Sequence, residues 1–214
     1  MPCVTQDQGE PDRSAISDND LLRRHLEGDS TAFADLVRRY QKDLYAFLAR
    51  FTGDPALAED VFQETFLQLH QSAAGFDLSR RLKPWLFTIA ANKARDALRS
   101  RSRKQAAPLD ATIGKGTDES TFAALMPGIV PAPDESMTNL ETRQAVQSIV
   151  QGLPEHLRSV LVLSYFHEMP YKEIAEVLDI PLGTVKSRLH AAVAAFARKW
   201  KEIAERLGHT DEHG

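Results

Sequence analysis

One cysteine, Cys3, is all the thiol chemistry this 214-residue chain holds. A lone cysteine cannot form an internal disulfide, and without partner cysteines it does not make a zinc site; both facts fit a reducing compartment. Residues 1–17 lack the apolar stretch after a basic start that marks a secretory signal, and no run approaches the roughly 20 apolar residues needed to cross a bilayer. The most apolar stretch, VLVLSYF from Val160, has the length of a buried helix. A cytoplasmic protein is therefore expected. Basic residues are not in excess either: 26 Lys and Arg face 30 Asp and Glu, a net charge of -4. That excludes a uniformly basic nucleic-acid coat and leaves only local clustering as a route to DNA. The seven histidines (His25, His70, His156, His167, His190, His209 and His213) are scattered, and HExxH, GxxxxGK[ST] and GxSxG are all missing. No catalysis, metal or cofactor is expected. Alternating strand patterns with hairpin turns and internal repeats are missing too, so the fold class is all-α.

What is present is helical and falls into two blocks around a stretch of opposite character. Residues 105–140 contain four prolines, three glycines and five acids against one base, a composition that cannot bury enough apolar area to order itself. The expected organisation is a disordered N-terminal tail over 1–17, a four-helix domain over 18–104, a flexible acidic linker over 105–137, a helix-turn-helix domain over 138–207 and a C-terminal tail over 208–214. In the first block, Asp18, then Asp29 or Ser30, and then Asp54-Pro55 open three helices, and a fourth starts at Pro84. Four helices with short connections imply a compact bundle.

Spacing at 100° per residue sorts the helix faces. The third helix places Ala58, Val61, Phe62, Thr65, Phe66 and Leu69 on a core side. Asp60, Gln63, Glu64, Leu67 and Gln71 lie opposite, where a leucine amid polar residues suits either a docking face or a solvated one. The fourth helix buries Leu86, Phe87, Ala90, Ala94, Ala97 and Leu98 and turns Trp85, Ile89, Asn92, Asp96 and Arg99 outward. Aromatic planes stack on unpaired bases and asparagine reads base edges, so this face suits single-stranded nucleic acid; the other reading packs Trp85 under the preceding loop. From Arg80 to Lys104 there are nine bases and one acid, a local +8 that the whole-chain charge hides. Such a cluster attracts phosphates by counterion release.

The second block gives helices near 154–165, 170–178 and 183–203, the last two forming a helix-turn-helix broken by Pro181 and Gly183. Ile174, Leu178, Ile180, Val185, Leu189, Ala192, Val193 and Phe196 supply its inward positions, and Thr184 caps or opens the second helix. Thr184, Ser187, Arg188, Ala191 and Arg198 face outward with Lys186 and His190 on one flank. This is the composition of a major-groove face.

The stretches AEDVFQETFLQLHQ, WLFTIAANKARDALR and LPEHLRSVLVLSYFHEMPYKEIAEVLDIPLGTVKSRL, in that order and spacing, together resemble a bacterial RNA polymerase sigma factor of the extracytoplasmic-function (ECF) group. The likeness covers nearly the whole chain. It implies that Asp60, Gln63, Glu64 and Leu67 dock on core RNA polymerase. It also implies that Trp85, Asn92, Arg95 and Arg99, with the loop from Gly75 to Lys83, hold the melted non-template strand of the minus-ten element of promoter DNA. Thr184, Lys186, Ser187, Arg188 and His190 would read the minus-thirty-five element as duplex. An anti-sigma protein is implied as a further partner. Two departures stand out. Asp179 occupies the turn where the family usually has glycine, and Ala91 stands where arginine is frequent. The alternatives are an autonomous helix-turn-helix regulator, an enzyme, and a helical adaptor that sequesters polymerase.

Overall fold

The computed structural model describes residues 16–106 and 140–210. All regular structure among them is helical. The linker and the N-terminal tail lie almost wholly outside the described residues, as do the last four residues of the chain.

Four helices make the first block: α1 (Asp18–Leu26), α2 (Ser30–Thr52), α3 (Pro55–Ser72) and α4 (Leu82–Ala106). Their starts follow from local chemistry. Ser17, Asp29 and Asp54 cap α1, α2 and α3, each accepting amide hydrogens that have no partner within the helix. Asp54 Oδ1 accepts from Ala56 at 2.9 Å and from Leu57 at 3.2 Å, and Pro55 supplies a preset φ. Helix α2 stops at Gly53, whose φ of +72° is the left-handed geometry of a helix C-cap. Helix α3 ends at Ser72, where a 3-10 turn takes over at Ala73–Gly75. Helix α4 starts two residues before Pro84, which therefore falls in its first turn, where the missing amide costs nothing.

The second block contains α5 (Leu140–Gln151), α6 (Glu155–Leu161), α7 (Tyr171–Leu178) and α8 (Leu182–Thr210). Helix α8 outruns both the expected end near 203 and the tail boundary at 208. A single π turn, Val162–Phe166, follows α6 and aims His167 back toward the first block. Asp179 does take the left-handed conformation, φ 52° and ψ 53°, at the C-cap of α7. Thr184 is not a cap: α8 is already under way at Leu182, and the Thr184 amide donates to the Pro181 carbonyl at 2.8 Å. Val193, expected to point inward, is 43% exposed.

The blocks do not stand apart. One continuous cluster of buried side chains runs from Leu21, Phe47, Phe51 and Phe87 in the first to Val160, Leu163, Ile174 and Val185 in the second. Helix α7 packs on α4, and α2 meets α5, α6 and the π turn.

Candidate nucleic-acid interface

The core side of α3 is as the spacing implies: Ala58, Val61, Phe62, Thr65, Phe66 and Leu69 are buried. Asp60, Gln63, Glu64 and Gln71 are exposed around Leu67, which shows 56% of its surface to solvent. One large apolar side chain on an otherwise polar, open face gives a partner helix a point of dry contact. Glu64 lies 3.4 Å from Lys93, so α3 and α4 share charge at the edge of this face.

Helix α4 is covered on two sides. Leu86, Phe87, Ala90 and Ala94 are buried and Ala97 and Leu98 partly so, as the 3.6-residue period requires. A second stripe, Pro84, Thr88, Ala91 and Arg95, is buried or half-buried too, at the same helical spacing. Ala91 is fully buried. An arginine at that position would have no room here, so the departure at Ala91 goes with packing.

Along the second stripe, with Pro84 and Thr88 in its wall, runs an open cleft of about 750 Å³. Arg80, Arg81, Trp85 and Asn92 line one side of it, and Lys172, Glu173 and Glu176 of α7, with Asp179 at its C-cap, line the other. Trp85 is half-buried, one face stacked on Phe76 with ring centroids 4.3 Å apart. The indole therefore does pack against the preceding loop, and it still borders the cleft. Asn92 is exposed, with Oδ1 accepting from Arg95 at 3.0 Å. Arg95 also approaches Glu155 of α6 at 3.8 Å, whereas Arg99 points away and pairs loosely with Asp96.

The loop before α4 is held from a distance. Asn19 of α1 donates to the carbonyls of Leu78 (2.7 Å) and Arg80 (2.8 Å), and the Asp77 side chain accepts from the Ser79 amide at 2.9 Å. Neither Asn19 nor Phe76 stands out in the sequence. A long-range side-chain bond leaves no periodic trace, although an aromatic directly after a helix end is a signal that could have flagged Phe76.

On α8, Lys186, Ser187 and His190 are exposed and Thr184 and Arg188 half-buried; Val185 and Ala192 anchor the opposite side. This face is open to solvent, unlike that of α4. No group of three or more His, Cys, Asp or Glu among the described residues is placed to hold a metal, and no described helix is long and apolar enough to cross a membrane.

Comparison with known proteins matches residues 36–104 to the Sigma-70 region 2 family and residues 143–196 to the Sigma-70 region 4 family. The chain is 34% identical over 182 residues to the ECF RNA polymerase sigma factor SigW of Bacillus subtilis, covering 85% of this chain and 96% of that protein. It is 31% identical over 194 residues to the ECF RNA polymerase sigma-E factor of Escherichia coli K12, covering 89% of this chain and 98% of that one. Among solved structures it resembles CnrH in complex with the cytosolic domain of CnrY, at 26% identity and a TM-score of 0.62 over 87% of this chain and 99% of that one. The fold is also that of the sigma factor RpoE of Bartonella quintana solved with the anti-sigma factor NepR (TM-score 0.59, 20% identity, 79% of this chain and 96% of that one).

Proposed function

Since this chain belongs to the extracytoplasmic-function group of RNA polymerase sigma factors, which direct core polymerase to promoters, we propose that it divides the work among three helix faces. Asp60, Gln63, Glu64 and Leu67 dock on core polymerase. Trp85, Asn92, Arg95 and Arg99 hold the unpaired non-template strand of the minus-ten element. Thr184, Lys186, Ser187, Arg188 and His190 read the minus-thirty-five duplex through the major groove. The first and second faces belong to a domain over 18–104 and the third to one over 138–207.

No nucleotide hydrolysis falls to this chain. Stacking unpaired bases on an aromatic plane contributes about 1–3 kcal/mol per base, enough to bias a transiently open duplex toward the melted state. The phosphodiester chemistry belongs to the polymerase. Work beside polymerase places the chain in the cytoplasm. An anti-sigma protein that covers these faces is a further part of the proposal, supported by the likeness to CnrH, which was solved with CnrY.

The observation that carries the reading is the pairing, in one chain, of a region 2 match with a region 4 match over helices that present these faces. An autonomous helix-turn-helix regulator needs no region 2. Run-off transcription with core polymerase on a genomic fragment library tests it. Trp85→Ala and Arg188→Ala should each lower promoter-specific transcript roughly 5- to 150-fold, the range for losing one stacking or bidentate base contact, while core binding persists. Leu67→Asp should abolish core binding. Full transcription from Trp85→Ala would remove the strand-face assignment, and full transcription from Arg188→Ala would favour the sequestering adaptor.

A further inference from the structure

The segment from Phe76 to Arg81 joins the 3-10 turn to α4 and is the part of the strand face with least to hold it. Asp77, Ser79, Arg80 and Arg81 are exposed, and only Phe76 and Leu78 are half-buried. So little buried apolar surface puts a loop at the low end of local stability. Its own turn bonds, from the Arg80 amide to the Asp77 carbonyl (2.9 Å) and from the Ser79 amide to Asp77 Oδ1 (2.9 Å), fix its shape but not its place. Its place is set by α1.

Asn19 stands half-buried in the first turn of α1. Its Nδ2 carries two hydrogens and reaches two carbonyls, Leu78 at 2.7 Å and Arg80 at 2.8 Å, 59 and 61 residues along the chain. One amide group thus fixes the spacing and direction of two backbone oxygens at once. In a trans peptide each carbonyl points opposite to the amide that follows it, so the same grip turns the Ser79 and Arg81 amides away from α1. The post is itself tied down: the neighbouring Asp18 accepts from Arg39 at 2.6 Å and from the Tyr40 hydroxyl, both on α2, and Leu21 and Leu22 are fully buried. The Sigma-70 region 2 match begins at residue 36, so α1 and Asn19 lie before it.

We propose that Asn19 is a positioning residue for base recognition: by holding the Leu78 and Arg80 carbonyls it sets where the loop beside Trp85 and Asn92 meets the bases of the unpaired strand. The inference rests on the assignment of that strand to the Trp85/Asn92 face. Ser79, Arg80 and Arg81 line the cleft together with Trp85 and Asn92. Phosphate contacts tolerate displacement, because charge acts over the roughly 10 Å of a Debye length. Base-edge contacts do not, because the usable range of a hydrogen bond spans only about 0.5 Å. Releasing the loop therefore costs discrimination among bases more than affinity for a strand, a split that general damage to the fold does not produce.

Two variants of the full chain test this. Asn19→Asp keeps the side-chain shape and suits the first turn of a helix but has no hydrogen to donate, and Asn19→Ala removes the donors without adding charge. In hydrogen exchange on the free chain, the Ser79 and Arg80 amides should exchange roughly 5- to 150-fold faster in both, the range for two lost hydrogen bonds. On core polymerase, each variant then selects from a pool of short single strands randomised over about six positions, and the recovered strands are sequenced. Wild type should enrich a motif. Both variants should lose enrichment roughly fivefold or more at one or two of its positions and keep the others, with core affinity unchanged. Unchanged exchange, an intact motif, an equal loss at every position, or a matching loss of core affinity overturns the positioning role. Trp85→Ala runs beside them. If it erodes the motif while the Asn19 variants do not, the strand face stands and Asn19 has no part in it. If it leaves the motif intact, or if wild type enriches none, the strand-face assignment falls and the Asn19 role falls with it.

Discussion

Gly53 shows how a single residue serves two levels of structure at once. Its φ of +72° ends α2, a role that Gly-Asp-Pro at a helix boundary makes legible in the sequence. A Cβ there would also collide with the Gln151 side chain from the other block, which no local pattern reveals. Gly53→Ala should therefore cost about 1–3 kcal/mol, more than the ~1 kcal/mol of left-handed strain alone, and a urea titration followed by far-UV circular dichroism would check it. Trp85 carries the same lesson. Its helical position assigns it to the outer face, and the stack on Phe76 that leaves it half-exposed could not be read from spacing. Asp179 stood out only by resemblance, as the residue at a turn where glycine is usual, and it does take the left-handed conformation there (φ 52°), which Asp tolerates better than most residues.

The elements follow their caps. Asp54 closes the amino end of α3, which bears the proposed docking face, and it also bonds Arg101 from α4. Burial would raise its carboxyl pKa, but Arg101 and the α3 amides outweigh that and hold it below 3.8. The stabilisation is complete at neutral pH and fades as pH falls below the ordinary carboxylate range. Asp54→Ala should cost about 1 kcal/mol in thermal unfolding at pH 7 and much less near pH 3. The π turn at Val162–Phe166 is the element the sequence hid. Its residues fit an ordinary α-helix by apolar period, and only packing against α2 explains why the turn widens and swings His167 inward. Helix α5 was hidden in a milder way, within a block whose helical character was plain but whose first boundary was not.

At the scale of the whole molecule, charge is uneven by design of the fold. A net -4 coexists with a local +8 on α4 and its loop, and part of that excess is answered by Glu173 and Glu155 of the other block. Binding of single strands through this cluster should fall steeply with salt, roughly fiftyfold between 50 and 200 mM if four phosphates are neutralised, as fluorescence anisotropy would measure. The sequence by itself determined most of the helices, the caps of the first three and most of the inward positions, because helix period and capping are local and act within a few residues. Only the tertiary structure decided that α7 lies across α4, that Ala91 and Glu173 are buried, and that His167 enters a seam between blocks against Phe47 and Phe87. Those outcomes depend on two surfaces more than 60 residues apart being complementary, and complementarity at that range leaves no mark in the spacing of either one.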